Sequence, residues 1–389
     1  MKKKKKKAKR ELDKNYKNCI DTVEQIFNSK NLGKQPQNLA DFLVNVTLAS
    51  FATCYYRSCK DFSSYMTVEK KEKTPLENAT EFGRAFIRNF NTPEVMAILD
   101  YVDQSSEDAE TGNYLSRVYK YCINGCFQGM LDEYIHLLYR GDDSFQEDLI
   151  KNLNLLDTAK YEIDTYEAFK KEISGEKDSS SKIRMRSHFA ICFSKSTDKG
   201  VGDRKENLRN AFNSPLRPFV LASTSVGQEG LDFHNYCRKI MHWNLPSNPV
   251  DLEQREGRIN RYKCLCIRQN VAKLHGDLIF NPDKTLWNQM FEEAKEKENG
   301  GQYSELIPFW VFGKNQEIKL KRIVPIYPMS SDVQKYERLI KILSLYRMTL
   351  GQPRQEELLE YVFANCDDEQ LEKMKELFID LSPWSKKDK

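Results

Sequence analysis

The chain has 389 residues, of which 40% are hydrophobic and 11% aromatic, enough to bury at least one substantial core and to form two or three domains. Its formal charge of +4 comes from one end: eight of the 61 basic residues lie within the first ten positions, leaving 53 basic against 57 acidic residues in the remainder. Bulk charge therefore gives no argument for a polyanion partner, and a nucleic-acid function would need a local basic surface.

Residues 1–10 (Lys2 to Lys7, Lys9, Arg10) form a low-complexity lysine tail expected to be disordered. It is not followed by the apolar segment of a signal peptide, and no run of about 18 apolar residues occurs, so no membrane contact and a cytoplasmic location are expected. Ten cysteines are present, closest at Cys54/Cys59, Cys122/Cys126 and Cys264/Cys266. No C-x-x-C pair occurs, so the expectation is reduced, buried thiols and no metal.

Residues 11–173 carry a helical period and are expected to be an all-α domain. Leu39, Phe42, Leu43, Val46, Leu48 and Phe51 make a broad apolar face, and Thr92-Pro93-Glu94 offers a cap followed by proline at the first helical position. Tyr114, Leu115, Val118, Tyr119 and Cys122 continue the period toward Leu131 and Ile135. Residues 174–183 are polar and periodless, a linker.

From 184 to 280 short apolar runs alternate with amphipathic segments. Strands are predicted at His188 to Phe193, Phe219 to Ala222, Lys239 to Trp243 and Leu265 to Val271, with helices at Asp203 to Phe212 and Pro249 to Arg261. That alternation predicts an α/β fold with a parallel sheet and crossover helices. Residues 281–389 are expected to be a mainly helical extension: Asp283 to Glu298, then Val333 to Leu350, Gln355 to Ala364 and Glu369 to Leu381, with an aromatic run Phe309-Trp310-Val311-Phe312 and the proline-punctuated Val324 to Pro328 between them. Packing against the final helices is favoured over base stacking for the aromatic run.

Chemistry concentrates between Val220 and Arg261. Asn248 suits a helix cap and Pro249 the first turn. Gln254, Arg258 and Arg261, four and three residues apart, would share one face of a helix running to Arg261. Two guanidiniums a turn apart make a fork matched to phosphate oxygens. Gly257 would cost roughly 1 kcal/mol in a helix interior, which close approach of another backbone or a ligand would explain. Upstream, Ser223-Thr224-Ser225-Val226-Gly227-Gln228-Glu229-Gly230-Leu231-Asp232 follows a predicted strand. Such a loop can offer hydroxyls and bare N–H groups to a phosphodiester.

The spacing Q-R-x-G-R-x-x-R, here Gln254, Arg255, Gly257, Arg258 and Arg261, resembles motif VI of superfamily-2 helicases and translocases, and the 223–232 loop resembles their motif V. Trp243-Asn244-Leu245-Pro246 followed by Leu252-Glu253-Gln254-Arg255 looks most like the Swi/Snf-type branch and the bacterial RNA-polymerase-recycling ATPases. The resemblance covers about residues 184 to 275. It implies a single RecA-like lobe, the second of the two that clamp ATP in such motors, flanked by the helical region and extension. By residue-wise carry-over, Arg258 and Arg261 would be catalytic arginine fingers on the γ-phosphate. Gln254, Gly230 and Asp232 would lie at the nucleotide, Asp232 alternatively orienting an arginine. Arg255 would make a nucleotide or lobe-bridging contact, and Thr224, Ser223 and Ser225 would contact nucleic acid, DNA being favoured over RNA. Glu229 stands where DEAD-box relatives carry arginine, so their RNA contacts do not transfer.

Nothing in these residues supplies the other wall of such a site. No G-x-x-x-x-G-K-[ST] occurs, and the DExx-like Asp132-Glu133-Tyr134-Ile135 lies within a helical period rather than at a strand end. ATP with Mg²⁺ is thus expected only with a partner chain carrying the missing ATP-binding lobe. The alternatives are a non-enzymatic module binding nucleic acid or protein, and an inert truncated fragment. His234, His242 and His275 lack ligand spacing and are expected as core or edge residues.

Overall fold

The computed structural model describes residues 38–60, 74–91, 93–104, 114–141, 144–153, 158–163, 183–188, 200–216, 219–223, 232–313 and 316–345, with isolated positions at 21–29 and 362–383. The lysine tail, most of the 174–183 linker, Phe189 to Phe193 and most of the last two predicted helices lie outside the described residues.

The helical region consists of α1 (Leu39–Ala49), α2 (Phe51–Lys60), α3 (Pro75–Phe90), α4 (Pro93–Gln104), α5 (Tyr114–Asn124), α6 (Phe127–Leu138) and α7 (Ser144–Leu153). Its best-defined start is a capping box: Glu77 N–H donates to Thr74 Oγ1 at 3.3 Å and Thr74 N–H to Glu77 Oε2 at 2.8 Å, with Pro75 at the first position. The core between these helices is aromatic. Phe51 and Phe127 each lie 4.9 to 5.3 Å from the Phe86 ring or each other, and Tyr55 stacks on Phe82 at 4.6 Å. Asp132-Glu133 is helical: Leu131, Tyr134 and Ile135 are buried in that core. Burial raises the Asp132 carboxyl above its ordinary value against hydrogen bonds from Ser58 and Gln128.

The region is not all helix to residue 173. β1 (Thr158–Ile163) pairs antiparallel with β2 (Ile183–His188), Ile163 opposite Ile183, so a strand lies inside the expected helical domain and the predicted linker is spanned by a strand pair. After α8 (Gly200–Phe212), which begins three residues before the expected Asp203 cap, Phe219 to Ala222 forms no strand; Phe219 is 79% and Val220 85% exposed. An apolar run becomes a strand only against a partner, and here β3 (Lys239–Met241) pairs in parallel with β4 (Lys321–Ile323) of the extension instead. β3 is shorter than predicted, ending at Met241, though His242 N–H still donates to Ile323 C=O at 2.9 Å.

The predicted strand Leu265 to Val271 is a helix, α10 (Leu265–His275), following α9 (Pro249–Gly257). Its buried positions, Cys266, Ile267, Asn270, Val271 and His275, recur at helical intervals, which a seven-residue stretch with only four apolar residues is too short to distinguish from a strand's period. α11 (Leu286–Ala294) starts at Leu286, not Asp283, because Thr285 accepts from Asn288 N–H as its cap, and it continues as a π-turn to Asn299. Cys264, Ile267, Val271, Trp287, Phe291 and Phe312 form a second core. Among the described residues the aromatic run packs in this core: Phe309 lies 5.5 Å from Phe291, while Trp310 stays 42% exposed. α12 (Asp332–Leu345) is the last long described helix. Among the described residues the fold is therefore mainly helical with a small parallel α/β element, and the parallel sheet is limited to β3 and β4.

All eight described cysteines are free thiols, five of them buried. Among the described residues no helix is long and apolar enough to cross a membrane, and no three His, Cys, Asp or Glu side chains form a metal-binding group.

Candidate functional site: an arginine fork on Asp232

α9 forms where the sequence places its start. Asn248 Oδ1 accepts Val250 N–H at 2.6 Å and Pro249 follows. The helix ends four residues before Arg261, at Gly257. Phe233 N–H takes the Arg258 carbonyl at 2.8 Å, and Ile259 drops into a small core with Phe212 and Phe233. Arg258 and Arg261 thus lie on a turn beyond the helix rather than along one helical face.

The turn nevertheless aims both guanidiniums at one carboxylate. Arg261 reaches Asp232 Oδ1 at 3.0 Å and Arg258 reaches it at 3.8 Å. Asp232 is itself fixed through its backbone, since Asn213 at the end of α8 donates to its carbonyl at 2.6 Å. Side-chain exposures of 21 to 43% put both pairs near the surface, where such pairs contribute about 0–1 kcal/mol. A phosphate would displace so weak an acceptor at little cost. The Nε atoms of Arg255, Arg258 and Arg261 are shielded from solvent and have no hydrogen-bond partner among the described residues, three donors that phosphate oxygens would satisfy.

The other expected site residues divide. Arg255 spends one nitrogen on Asn244 C=O at 3.0 Å, tying α9 to the segment before it. Gln254 is exposed on α9, and Ser223 is exposed. Thr224, Ser225 and Gly230 lie outside the described residues. A Cβ added at Gly257 would meet nothing within 4 Å among the described residues, so none of their backbone explains that glycine.

Two supports of the fork come from far along the chain. Glu256, inside the Q-R-x-G-R spacing, receives both Arg322 Nη2 at 2.6 Å and Arg322 Nε, and His242 Nε2 lies 3.3 Å away. Burial alone would raise this carboxyl, but the hydrogen bonds from His242 and Arg322 outweigh it and hold it at about 2. The result fastens α9 to β4 and to His242, the residue that follows β3. On the other side, Arg268 is fully buried, donating to Glu133 of α6 at 2.6 Å, to Lys263 C=O at 2.7 Å and to Asn235 C=O. Lys263, two residues past Arg261, lies 4.4 Å above the Phe291 ring and donates to His136 Nε2 at 3.3 Å. Burial, then the charges of Lys263 and Arg268, push His136 down to about 3, so its ring is neutral and accepts. His234 is lowered by burial, and His242 and His275 are buried.

No sequence spacing marks Arg322 or Glu133, since their partners are 66 and 135 residues away. The presence of a glutamate inside an arginine-rich motif is the one available signal for a cation elsewhere.

A family model described as the helicase conserved C-terminal domain matches residues 168–263, about a quarter of the chain, including Asp232, Arg258 and Arg261. No curated protein and no solved structure matches the chain.

Proposed function

We propose that this chain, carrying a helicase C-terminal domain, supplies the trigger side of an ATP-driven DNA translocase of the Swi/Snf-like branch. Arg258 and Arg261 are its arginine fingers. The phosphate loop and the acid that holds Mg²⁺ belong to a complementing ATP-binding lobe on another chain. The observation that supports this most strongly is the convergence of two arginines with unpartnered Nε atoms on the weakly held Asp232, within the matched stretch.

In this reading Asp232 keeps the two guanidiniums forked until phosphate oxygens take its place. Arg258 and Arg261 then neutralise charge that develops on the γ-phosphoryl oxygens as the bond to the leaving group breaks. The complementing lobe would hold Mg²⁺, which would supply further neutralisation of phosphate charge. Gln254 and Gly230 flank the nucleotide, and Arg255 holds α9 in place. Ser223, Thr224 and Ser225 take the phosphodiester of the DNA track.

The test is reconstitution with a chain bearing G-x-x-x-x-G-K-[ST], found by co-purification. ATPase turnover stimulated by DNA, with RNA as the parallel arm, is expected to fall by about 10³-fold or more on Arg258→Ala. Unchanged turnover in that variant, or no stimulated ATPase from any such pair, overturns the assignment. Salt-dependent DNA binding without ATPase would favour a non-enzymatic binding module.

A further inference from the structure

The β3–β4 pair has an outward face that the arginine fork does not use. Along β3 exposure alternates, with Lys239 and Met241 outward and Ile240 inward, and along β4 Lys321 and Ile323 are outward and Arg322 inward. The alternation continues past β3: His242 is buried and Trp243 is 65% exposed. The strands are parallel, so Trp243 and Tyr327 emerge together beyond their carboxyl ends, ring centroids 6.2 Å apart at 77°. An edge-on contact of this kind props the rings against each other and leaves a ring face open to a third.

Two features of this face work against stability. Lys239 and Lys321 are register partners, and like charges directly opposite one another on a sheet face are destabilising. Neither lysine has an ion-pair partner among the described residues. Met241, Ile323 and Trp243 are 53, 38 and 65% exposed, a contiguous apolar strip that burial would favour. An anion with a planar apolar part relieves both at once. Protein-binding surfaces, in contrast, are depleted in lysine at their centres, whereas lysines beside an exposed aromatic ring are the pairing that binds single-stranded nucleic acid.

We propose that the outward face of β3 and β4 is a second nucleic-acid contact, in which Lys239 and Lys321 hold the backbone of a single-stranded segment and Trp243, braced by Tyr327, stacks on a base. From Lys239 to Trp243 the strand spans roughly 13 Å, the length of a few nucleotides. The site shares no residue with the Ser223 to Ser225 loop, lies on the extension as much as on the matched domain, and needs no complementing lobe.

The test uses the full chain and a fluorescently labelled oligothymidylate, with anisotropy read across a salt titration. Trp243→Ala is expected to weaken binding roughly five- to hundredfold with the salt slope kept. Lys239→Gln with Lys321→Gln should reduce the slope of log K against log salt by about 1.4, two phosphate contacts on a single strand. All three positions are exposed, and unchanged thermal unfolding of the variants excludes misfolding. Thr224→Ala separates this site from the loop: if it abolishes binding while the Trp243 and lysine variants bind as the parent does, the loop contact stands and this proposal falls. Absence of oligonucleotide binding at low salt overturns it as well, as does a chain that self-associates through this face, with Trp243→Ala dissociating the dimer and leaving oligonucleotide affinity unchanged.

Discussion

Replacing Glu256 with glutamine should reveal how firmly α9 is held. The substitution keeps the size of the side chain and one acceptor oxygen, and removes the charge that Arg322 grips. A carboxyl held at about 2 instead of its ordinary 4.5 corresponds to roughly 3 kcal/mol at 1.36 kcal/mol per unit. With Glu256 and Arg322 side chains 24% and 26% exposed, screening reduces this to about 2 kcal/mol. Because the folded-state value lies below the unfolded one, this contribution is complete above about pH 4.5 and is lost as the pH falls toward 2. Urea unfolding of the parent and of Glu256→Gln, measured at pH 7 and in steps to about pH 3, should show a gap of about 2 kcal/mol at neutrality, with more than half of it gone at the acid end. In an Arg322→Met background the same substitution should cost little, since its partner is already missing. A gap independent of pH, or an equal cost with and without Arg322, would refute the account.

Three further outcomes follow from the geometry. Arg268→Ala should destabilise by about 3–5 kcal/mol in denaturant unfolding, because it strands the Glu133 carboxylate and two carbonyls in a buried setting; Arg268→Met with Glu133→Leu should recover much of that loss. Gly257→Ala should be neutral or stabilise by up to about 1 kcal/mol in thermal unfolding, since nothing among the described residues opposes a methyl there. If the same variant loses ATPase in a reconstituted pair, a ligand or the other lobe approaches at that point. Asp232→Asn should change stability by less than about 1 kcal/mol while raising the affinity for inorganic pyrophosphate, read by calorimetry, because Arg258 and Arg261 lose their competing carboxylate; weaker binding would show that Asp232 positions the fork instead.

The arginine spacing is legible in the sequence and the geometry that unites it is not. Helical periodicity carries α9 to Arg261, but periodicity is blind to a carbonyl diverted by Phe233 N–H and to Ile259 being drawn into a core with Phe212. Leu265 to Val271 reads as a strand when its apolar ends are weighed alone; Arg268 and Asn270, whose polarity suggests an exposed face, are instead buried polar residues with distant partners. The strand pair β1–β2 escapes for the converse reason: Ile183, Met185 and the arginines between them alternate, but their partner strand lies inside a stretch of helical composition. Part of the helical region's core, by contrast, is visible in its spacing, as Val118, Cys122, Leu131 and Ile135 are buried, whereas Phe42, Leu43 and Leu48 of the expected apolar face on α1 are exposed.

The β1–β2 ribbon has a mechanical consequence. A single extended strand is free to twist about its single bonds. Here six positions on each strand are paired, from Thr158 opposite His188 to Ile163 opposite Ile183, so bending or twisting this segment must shear a ladder of hydrogen bonds. Because Thr158 and His188 stand opposite each other, the chain enters and leaves the ribbon at one end. The ribbon therefore behaves as a stiff side arm, while the helical region and the arginine turn are coupled without it, through Arg268 on Glu133 and Lys263 on His136.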